Sequence, residues 1–392
     1  MGAPKPNPGI GVYVHVPFCA ASCPYCDYPH AVASAAGAHD AFARAVQAEV
    51  RRRAPRHDAP LRTIYLGGGT PSQLPARHLV DILDAVRAHF GHAEEGREVT
   101  VEANPDDLTG TWLRALREAG VTRLSLGVQS FFEEDLRALR RRHDAAEAAR
   151  ALPLAREAGF GNVSLDLLFG LPGQPAARWQ ATLEKAIQQA PEHVTLYRLT
   201  PAAGTPLGER VARGAARLPG GGAATAQYEQ ALDTLGAAGY HTQEQTHLAR
   251  PGFEARHTRR HWRHEAMLGL GPGAHSFSGG GDGPATRRAN APDWRAYIEA
   301  LNDGRAPPHT QEHPPRAALA DEYVARRLRT ARGLSPETLA ARYDRDLRSE
   351  RGEALDRLRA EGYLEQANGS GSAVRPTRAG RLRLDALTDA LL

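Results

Sequence analysis

Short apolar strand segments alternate with amphipathic helices through roughly the first two hundred residues, and this alternation constrains the fold more than any other feature. The predicted strands are 11–16, 63–66, 99–102, 123–127, 162–169 and 194–199, and helices between them include 39–54, 75–90 and 176–190. Strands that alternate with helices pair in parallel through right-handed crossovers. The sequence therefore predicts an α/β fold with six strand–helix units, too few for a full eightfold barrel.

Polar residues follow or close these strands at their carboxyl ends, where parallel sheets bind ligands. All the cysteines follow the first strand, and residues 67–71, GGGTP, follow the second. Glu102 closes the third strand, Gln129 follows the fourth and Asp166 lies within the fifth. We therefore expect a binding site at this end of the sheet.

The three cysteines, Cys19, Cys23 and Cys26, have CxxxCxxC spacing, and no other thiol occurs in the chain. Clustered thiolates usually ligate a soft metal centre, and the odd count argues against disulfides. A zinc site with His15 or His30 as fourth ligand is the alternative, but such sites normally need a second ligand pair. An iron–sulfur cluster normally takes four cysteines, so three leave one iron open.

The cysteine motif, with Tyr25 before its last cysteine, resembles the signature of radical S-adenosylmethionine (SAM) proteins. Within that superfamily, residues 13–19, YVHVPFC, resemble the oxygen-independent coproporphyrinogen oxidases and their relatives, the HemW heme chaperones. The resemblance extends as far as residues 378–382. It implies a partial (β/α)6 barrel, a 4Fe-4S cluster on the three cysteines, and SAM chelated to the open iron.

The candidate SAM residues are of two kinds. Some are glycines that let the backbone approach a ligand closely, and the others carry polar side chains at the ends of strands. Glycines admit a ligand because no Cβ intervenes, although a plain glycine-rich turn is the alternative for residues 67–69. An acid that closes an apolar strand needs a partner such as a ribose hydroxyl, unless it is a surface-edge glutamate. An arginine can pair with the SAM carboxylate as a bidentate fork. The resemblance implies SAM contacts by Tyr13, Tyr25, Gly68, Gly69, Thr70, Glu102, Gln129, Arg141, Asp166, Thr200 and His275.

A histidine-rich segment at 241–277 bears on the subfamily. Histidine can ligate heme iron or zinc, but most histidines in such a stretch are surface or hydrogen-bonded groups. HemW-type chaperones show His-Asn-x-x-Tyr-Trp before LGxGxGAH, and this chain reads HTRRHW at 257–262. The first and last residues agree, and Thr258 and His261 replace Asn and Tyr. The resemblance implies a heme site at His257, with His261 as a further candidate axial ligand.

A fourth cysteine two residues after the third is typical of the oxidases, and Tyr28 occupies that position here. This departure favours a heme chaperone that delivers heme to apo-hemoproteins. Decarboxylation of coproporphyrinogen III, or another radical SAM reaction on a tetrapyrrole, is the alternative. The oligomeric state is open between monomer and homodimer.

Composition adds limits on location and partners. The net charge is +4, and almost all basic residues are arginine, which does not commit the chain to nucleic acid. The arginine runs 51–53 and 140–142 are interpreted as solvated helix faces. No apolar run is long enough to span a membrane, and residues 1–8 lack a secretory signal. We expect a cytoplasmic protein with no membrane span, for which peripheral membrane contact stays open.

Three regions are predicted along the chain. Residues 1–205 form the barrel with its cofactor site, 206–312 complete the barrel and the substrate region, and 313–392 form a winged-helix-like domain. In the last region, helices at 316–332, 336–343, 352–361 and 378–391 surround two short strands. The charges on these helices are mixed rather than arranged in a basic stripe, so we expect no nucleic-acid binding.

Overall fold

The computed structural model describes residues 9–32, 37–56, 59–90, 96–279, 284–367 and 372–392 of the 392-residue chain. The amino-terminal segment 1–8, considered above as a leader, lies outside these ranges. So does most of the loop between the two predicted wing strands, residues 368–371.

One sheet of twelve strands dominates the described part of the chain. The strands are β1 Ile10–Val16, β2 Phe18–Cys19, β3 Ala31–Val32, β4 Leu61–Gly68, β5 Glu98–Ala103, β6 Arg123–Gln129, β7 Val163–Phe169, β8 His193–Arg198, β9 His241–Glu244, β10 His247–Ala249, β11 Met267–Leu270, β12 His275–Ser278, β13 Thr286–Asn290, β14 His309–Glu312, β15 Leu364–Gln366 and β16 Val374–Pro376. The large sheet has the order β14-β13-β12-β11-β1-β4-β5-β6-β7-β8-β10-β9, while β2 pairs with β3 and β15 with β16.

Helices cover the outer face of this sheet and form the carboxyl-terminal region. They are α1 Ala38–Arg53, α2 Ala76–Phe90, α3 Gly110–Glu118, α4 Glu133–Ala138, α5 Ala145–Glu157, α6 Ala176–Gln188, α7 Pro206–Ala212, α8 Gly221–Ala237, α9 Arg256–Trp262, α10 Trp294–Asn302, α11 Arg316–Leu328, α12 Pro336–Tyr343, α13 Leu347–Ala360, α14 Arg378–Arg381 and α15 Leu384–Leu391. The early helices are amphipathic as predicted: α2, for example, buries Leu79, Ile82, Leu83 and Val86 on one face.

The six predicted strands are β1, β4, β5, β6, β7 and β8, and each runs parallel to its neighbours in this series. Their observed bounds differ from the predicted ones by two residues or fewer. The prediction of an α/β partial barrel is confirmed. Strand β11 adds a further parallel strand beside β1, and antiparallel strands extend both edges of the sheet.

Alternation along each strand separates an apolar outer face from a polar interior. On β4, Ile64 and Leu66 are fully buried in the main hydrophobic core with the helices. Thr63 and Tyr65 point the opposite way and contact His257 and Glu102 inside the curved sheet. Polar side chains on the inner face are therefore positioned for ligands.

Glu49 of α1 ties the barrel to its extension through a buried carboxylate with no exposed surface. It accepts hydrogen bonds from the Tyr297 hydroxyl at 2.8 Å, the Asn290 amide at 2.9 Å, the Gly271 N–H at 2.9 Å and the Arg53 guanidinium at 2.9 Å. A buried charge persists only when it is paired and hydrogen-bonded in this way.

Helix α9 lies across the interior of the curved sheet. Near its start, His257 Nδ1 is 2.9 Å from the Thr63 hydroxyl of β4. At its end, the Trp262 ring packs against His247 of β10 with centroids 5.4 Å apart. The helix thus connects two strands that are far apart in the order of the sheet.

The carboxyl-terminal helices have a hydrophobic core of their own, with the β15–β16 hairpin beside it, as the winged-helix-like prediction requires. The helix predicted at 378–391 is two helices, α14 and α15. From α11 and α12, Arg326 donates to the His261 carbonyl at 3.2 Å and Arg342 to the Arg263 carbonyl at 2.7 Å. Among the residues described, no helix is long and apolar enough to cross a membrane.

Candidate cofactor site

A cavity of about 620 Å³ opens at the carboxyl ends of the parallel strands. The loops after β1, β4, β5, β6 and β8 form its wall, and α9 closes one side. It brings together all but one of the candidate residues: Tyr13, Cys19, Cys23, Tyr25, Cys26, Gly68, Gly69, Thr70, Glu102, Gln129, Arg141, Asp166, Thr200, His257 and His261. The exception is His275, which is exposed at the start of β12 and is not part of the lining.

Two histidines hold the cysteine loop in place. His15 Nε2 donates to the Pro29 carbonyl at 2.8 Å, so its neutral ring accepts the Tyr13 hydroxyl at Nδ1, 3.3 Å away. His30 Nδ1 donates to the Tyr28 carbonyl at 2.8 Å, and its Nε2 accepts from a serine hydroxyl in the same loop at 2.9 Å. Both histidines considered as zinc ligands therefore use both ring nitrogens within the protein.

The three cysteines are partly buried along the cavity wall. The Thr70 hydroxyl lies 3.3 Å from Cys19 Sγ, and Arg141 Nη1 lies 3.5 Å from Cys23 Sγ. Within the described ranges, no three cysteine, histidine or acidic side chains converge on a single metal ion. A 4Fe-4S cluster does not require such convergence, because each thiolate binds a different iron. The three thiols and their two polar neighbours fit this group.

The glycine-rich segment at the end of β4, residues 67–69, has no room for side chains. Gly68 has φ +113°, and a Cβ on it would lie 2.7 Å from the His15 ring. A Cβ on Gly69 would lie 2.8 Å from the Phe18 carbonyl, and the Gly69 N–H donates to the Val16 carbonyl at 2.7 Å. The plain-turn alternative does not require this close approach. The glycines bring the backbone of this segment against the cysteine loop.

Glu102 is enclosed on the inner face of β5. The Tyr65 hydroxyl donates to one carboxylate oxygen at 2.7 Å, and the Gly68 N–H donates to the other at 3.2 Å. Burial raises the pKa of Glu102 to about 7, although the bond from Tyr65 acts in the opposite direction. The carboxyl therefore changes charge near neutral pH.

Asp166 is the second acid on the cavity floor. The Ser125 hydroxyl lies 3.3 Å from each of its carboxylate oxygens. Burial raises the pKa of Asp166 to about 6, against a hydrogen bond from Thr195 and the charge of Arg123. Two acids with raised pKa values thus share the floor, which is common at functional sites.

Arg141 connects the cysteine loop to the β5 and β6 ends. Its Nη2 donates to the Asn104 side chain and, at 3.0 Å, to the Gly127 carbonyl. Its Nε is buried without a partner among the described residues, so it can still donate to a ligand. The interpretation of residues 140–142 as a solvated helix face was wrong, because they follow α4 and all three line the cavity.

His257 and His261 lie one helical turn apart on α9. The His257 ring packs against Tyr65 at 5.1 Å and Tyr13 at 6.4 Å between centroids, and its Nε2 has no hydrogen-bond partner among the described residues. Burial lowers the pKa of His257 well below its usual value and that of His261 to about 4. Both rings are therefore neutral at physiological pH.

The lining also contains residues that were not predicted as site residues, among them Tyr65, Asn104 and Tyr197. Tyr65 and Tyr197 lie within segments interpreted only as apolar strands. Tyr197 is 44% exposed and lines the cavity. The period-two alternation of β4 and β8 carried a signal for both tyrosines.

Comparisons with known proteins agree along the whole chain. Residues 13–186 match the family model of the radical SAM superfamily, and residues 315–383 match that of the HemN C-terminal domain. The heme chaperone HemW of Mycobacterium tuberculosis is 36% identical over 393 residues, covering 100% of this chain and 96% of the relative. The heme chaperone HemW of Bacillus subtilis is 32% identical and covers 94% and 96%.

A solved structure supports the fold. Coproporphyrinogen III oxidase (HemN) of Escherichia coli superposes with a TM-score of 0.82 over 99% of this chain and 91% of that chain. At 23% identity, this likeness concerns the fold alone. The identity and coverage shared with the HemW proteins go further, and the chain belongs to the HemW heme chaperone family of radical SAM proteins.

Proposed function

We propose that this protein binds heme in the cavity and delivers it to apo-hemoproteins. The observation that carries the proposal is the free Nε2 of His257, a buried and neutral ring nitrogen in the wall of the cavity. Its Nδ1 is held by Thr63 at 2.9 Å, which fixes the orientation of the ring. Neutral imidazole held through its second nitrogen is a common arrangement for a metal ligand.

His261 is the second candidate axial ligand in this proposal. It follows His257 by one turn, and the ring centroids are 6.0 Å apart. The tyrosines Tyr13 and Tyr65 provide aromatic surface beside His257. Aromatic surface next to an imidazole suits a flat tetrapyrrole.

Membership of the radical SAM superfamily implies a 4Fe-4S cluster and SAM. We propose that Cys19, Cys23 and Cys26 hold the cluster, whose open iron supplies the position for SAM. The Gly68–Thr70 backbone would receive the methionine part of SAM, Glu102 the ribose hydroxyls, and Arg141 Nε the carboxylate. Tyr25, Gln129, Asp166 and Thr200 line the same cavity and complete the proposed contacts. His275 remains a proposed contact from the resemblance alone.

We also propose the division into residues 1–205, 206–312 and 313–392. It is supported by a main hydrophobic core built mostly from the first region and a second core built mostly from the last. A cytoplasmic location is proposed because a reducing compartment keeps three free thiols available for a cluster.

The test is a heme titration after anaerobic reconstitution with iron and sulfide, with wild type compared to His257→Ala and His261→Ala. We expect saturable binding at one heme per chain and at least about tenfold weaker binding in His257→Ala, since a metal ligand is lost. His89→Ala, an exposed histidine on α2, is the matched control.

Two outcomes would count against the proposal, one in this titration and one in a product analysis after incubation with SAM and a tetrapyrrole. A reconstituted wild type that binds no heme would refute heme delivery. Formation of 5′-deoxyadenosine together with a chemically changed tetrapyrrole would favour the oxidase alternative.

A further inference from the structure

The arginines of the cavity fall into two kinds. Among the described residues, Arg140, Arg141, Arg142 and Arg198 line it. Arg141 is bonded as described above, and Arg142 pairs with Asp106 at 3.3 Å. The side chains of Arg140 and Arg198 have neither a hydrogen bond nor an ion pair with any described residue. Two exposed cations at the cavity are thus left for a ligand.

Arg140 is held over the cavity by its backbone. It follows α4 with φ +51°, a left-handed conformation that costs stability for any residue with a Cβ. The bond from the Arg140 N–H to the Arg137 carbonyl, at 3.0 Å, closes this turn. The direction in which the side chain leaves the backbone is therefore set by this turn.

Arg198 is the last residue of β8 and also lines the cavity. Its aliphatic stem covers Gly170, which directly follows β7, with Cγ 3.7 Å from the Cβ position of that glycine. Strand β7 lies between β6 and β8, and adjacent strands are about 5 Å apart. The ends of β6 and β8 are therefore about 10 Å apart, two strand spacings.

Acidic and basic side chains lie in different parts of the cavity. Glu102 and Asp166 lie on the floor, and Asp27 lies on the side of the cysteine loop. The unpaired side chains belong to Arg198, the last residue of β8, and to Arg140, which follows α4; the exposed ring of Tyr197 lines the same cavity. A ligand carrying carboxylates would be repelled by the acids of the floor and attracted to these two arginines.

We propose that Arg140 and Arg198 form a carboxylate subsite that binds the propionate groups of a tetrapyrrole and so orients it, with its iron toward α9. This inference rests on the proposed function. The two guanidinium groups supply the charge and the hydrogen-bond donors, while Tyr197 packs against the macrocycle near its carboxylate edge.

The experiment compares heme with its dimethyl ester, in which both propionates are uncharged, on the reconstituted full-length protein. Arg140→Ala and Arg198→Ala should each weaken heme binding about fivefold, and the double variant about 25-fold, as expected for partly exposed charge pairs. The ester should bind wild type and the double variant equally. Arg137→Ala, an exposed arginine of α4 outside the cavity lining, should bind heme like wild type.

The possible failures are distinguishable. Equal heme affinity of the double variant and wild type would overturn the carboxylate subsite and leave heme binding intact. The subsite would also be overturned if the ester bound the double variant more weakly than wild type by the same factor as heme. The arginines would then act on something other than the charge of the propionates. Absence of binding of both compounds to wild type would overturn the proposed function together with the subsite.

Discussion

The wild-type protein is expected to lose stability as the pH rises through the neutral range, because Glu102 ionises. Replacing Glu102 by glutamine is expected to abolish this pH dependence. Burial on β5 raises the pKa of Glu102 from 4.5 to about 7. The folded protein therefore holds this proton more tightly than the unfolded chain does. The contribution to stability is complete below about pH 4.5 and is lost as the pH rises through about 7. Each pKa unit corresponds to about 1.4 kcal/mol, so the difference is worth about 3 kcal/mol.

The groups that face Glu102 set the size of this effect. Tyr65 and the Gly68 N–H donate to the carboxylate, Arg123 favours its charged form, and Asp166 opposes it. Glutamine keeps an acceptor for one of the two donors and cannot ionise. Asp166, whose pKa burial raises to about 6, keeps some pH dependence in both proteins.

The assay is urea unfolding without SAM at several pH values between 5 and 8. The unfolding free energy of wild type should fall by about 2.5 kcal/mol more over this range than that of Glu102→Gln, since part of the loss occurs below pH 5. Asp84→Asn, which changes a carboxylate with 66% of its side chain exposed, should follow wild type. Parallel curves for wild type and Glu102→Gln would refute the reasoning.

Three further changes test other parts of the structure. Cys23→Ala should abolish cluster binding and leave the melting temperature of the cluster-free protein nearly unchanged, as measured by iron and sulfide content and by circular dichroism; full iron and sulfide would contradict the assignment. Gly68→Ala should lower the unfolding free energy by about 2–4 kcal/mol, because its Cβ would overlap the His15 ring. Gly239→Ala also has a positive φ but nothing within 4 Å, so it should cost only about 1 kcal/mol, and equal costs would reject the overlap. Glu49→Ala removes the buried acceptor that four donors share and should cost about 3–5 kcal/mol in urea unfolding, whereas a cost below about 1 kcal/mol would contradict the network.

The barrel could be predicted from the sequence because its signals are local. Each of the six strands is a short apolar run, and each of the helices between them has a periodic apolar face. The strands β9 to β14 were not predicted, since they are only three to five residues long and most of them are polar; β11, Met267–Leu270, is apolar but has only four residues. Both β9 and β14 read HTQE, and all four residues of β14 are exposed. Their pairing depends on neighbouring strands that only the folded chain provides.

In the candidate site, too, residues within one local motif could be predicted, and contacts between distant residues could not. Motifs identified the cysteines and the glycine-rich loop, whose spacing is fixed within one loop. The contacts of Arg141 with Asn104 and of Tyr65 with Glu102 join residues 37 positions apart in each case. Nothing in the local sequence indicates such partners. Arg140 shows a further limit of prediction from sequence. The run of arginines at 140–142 is typical of a solvated helix, but the backbone of Arg140 has a positive φ and its side chain lines the cavity.

Helix α9 has a consequence for how the chain can be divided. It carries the cavity histidines on one side, and on the other it is fastened by Arg326 and Arg342, whose guanidinium groups donate to backbone carbonyls at its end. These arginines belong to the carboxyl-terminal helices, although those helices have a separate hydrophobic core. A chain truncated before residue 315 would keep every proposed cofactor-binding residue. It would still lose the hydrogen bonds from Arg326 and Arg342 that hold α9, the helix that bears His257. The last domain is therefore a structural part of the pocket, and it cannot be removed as an independent appendage.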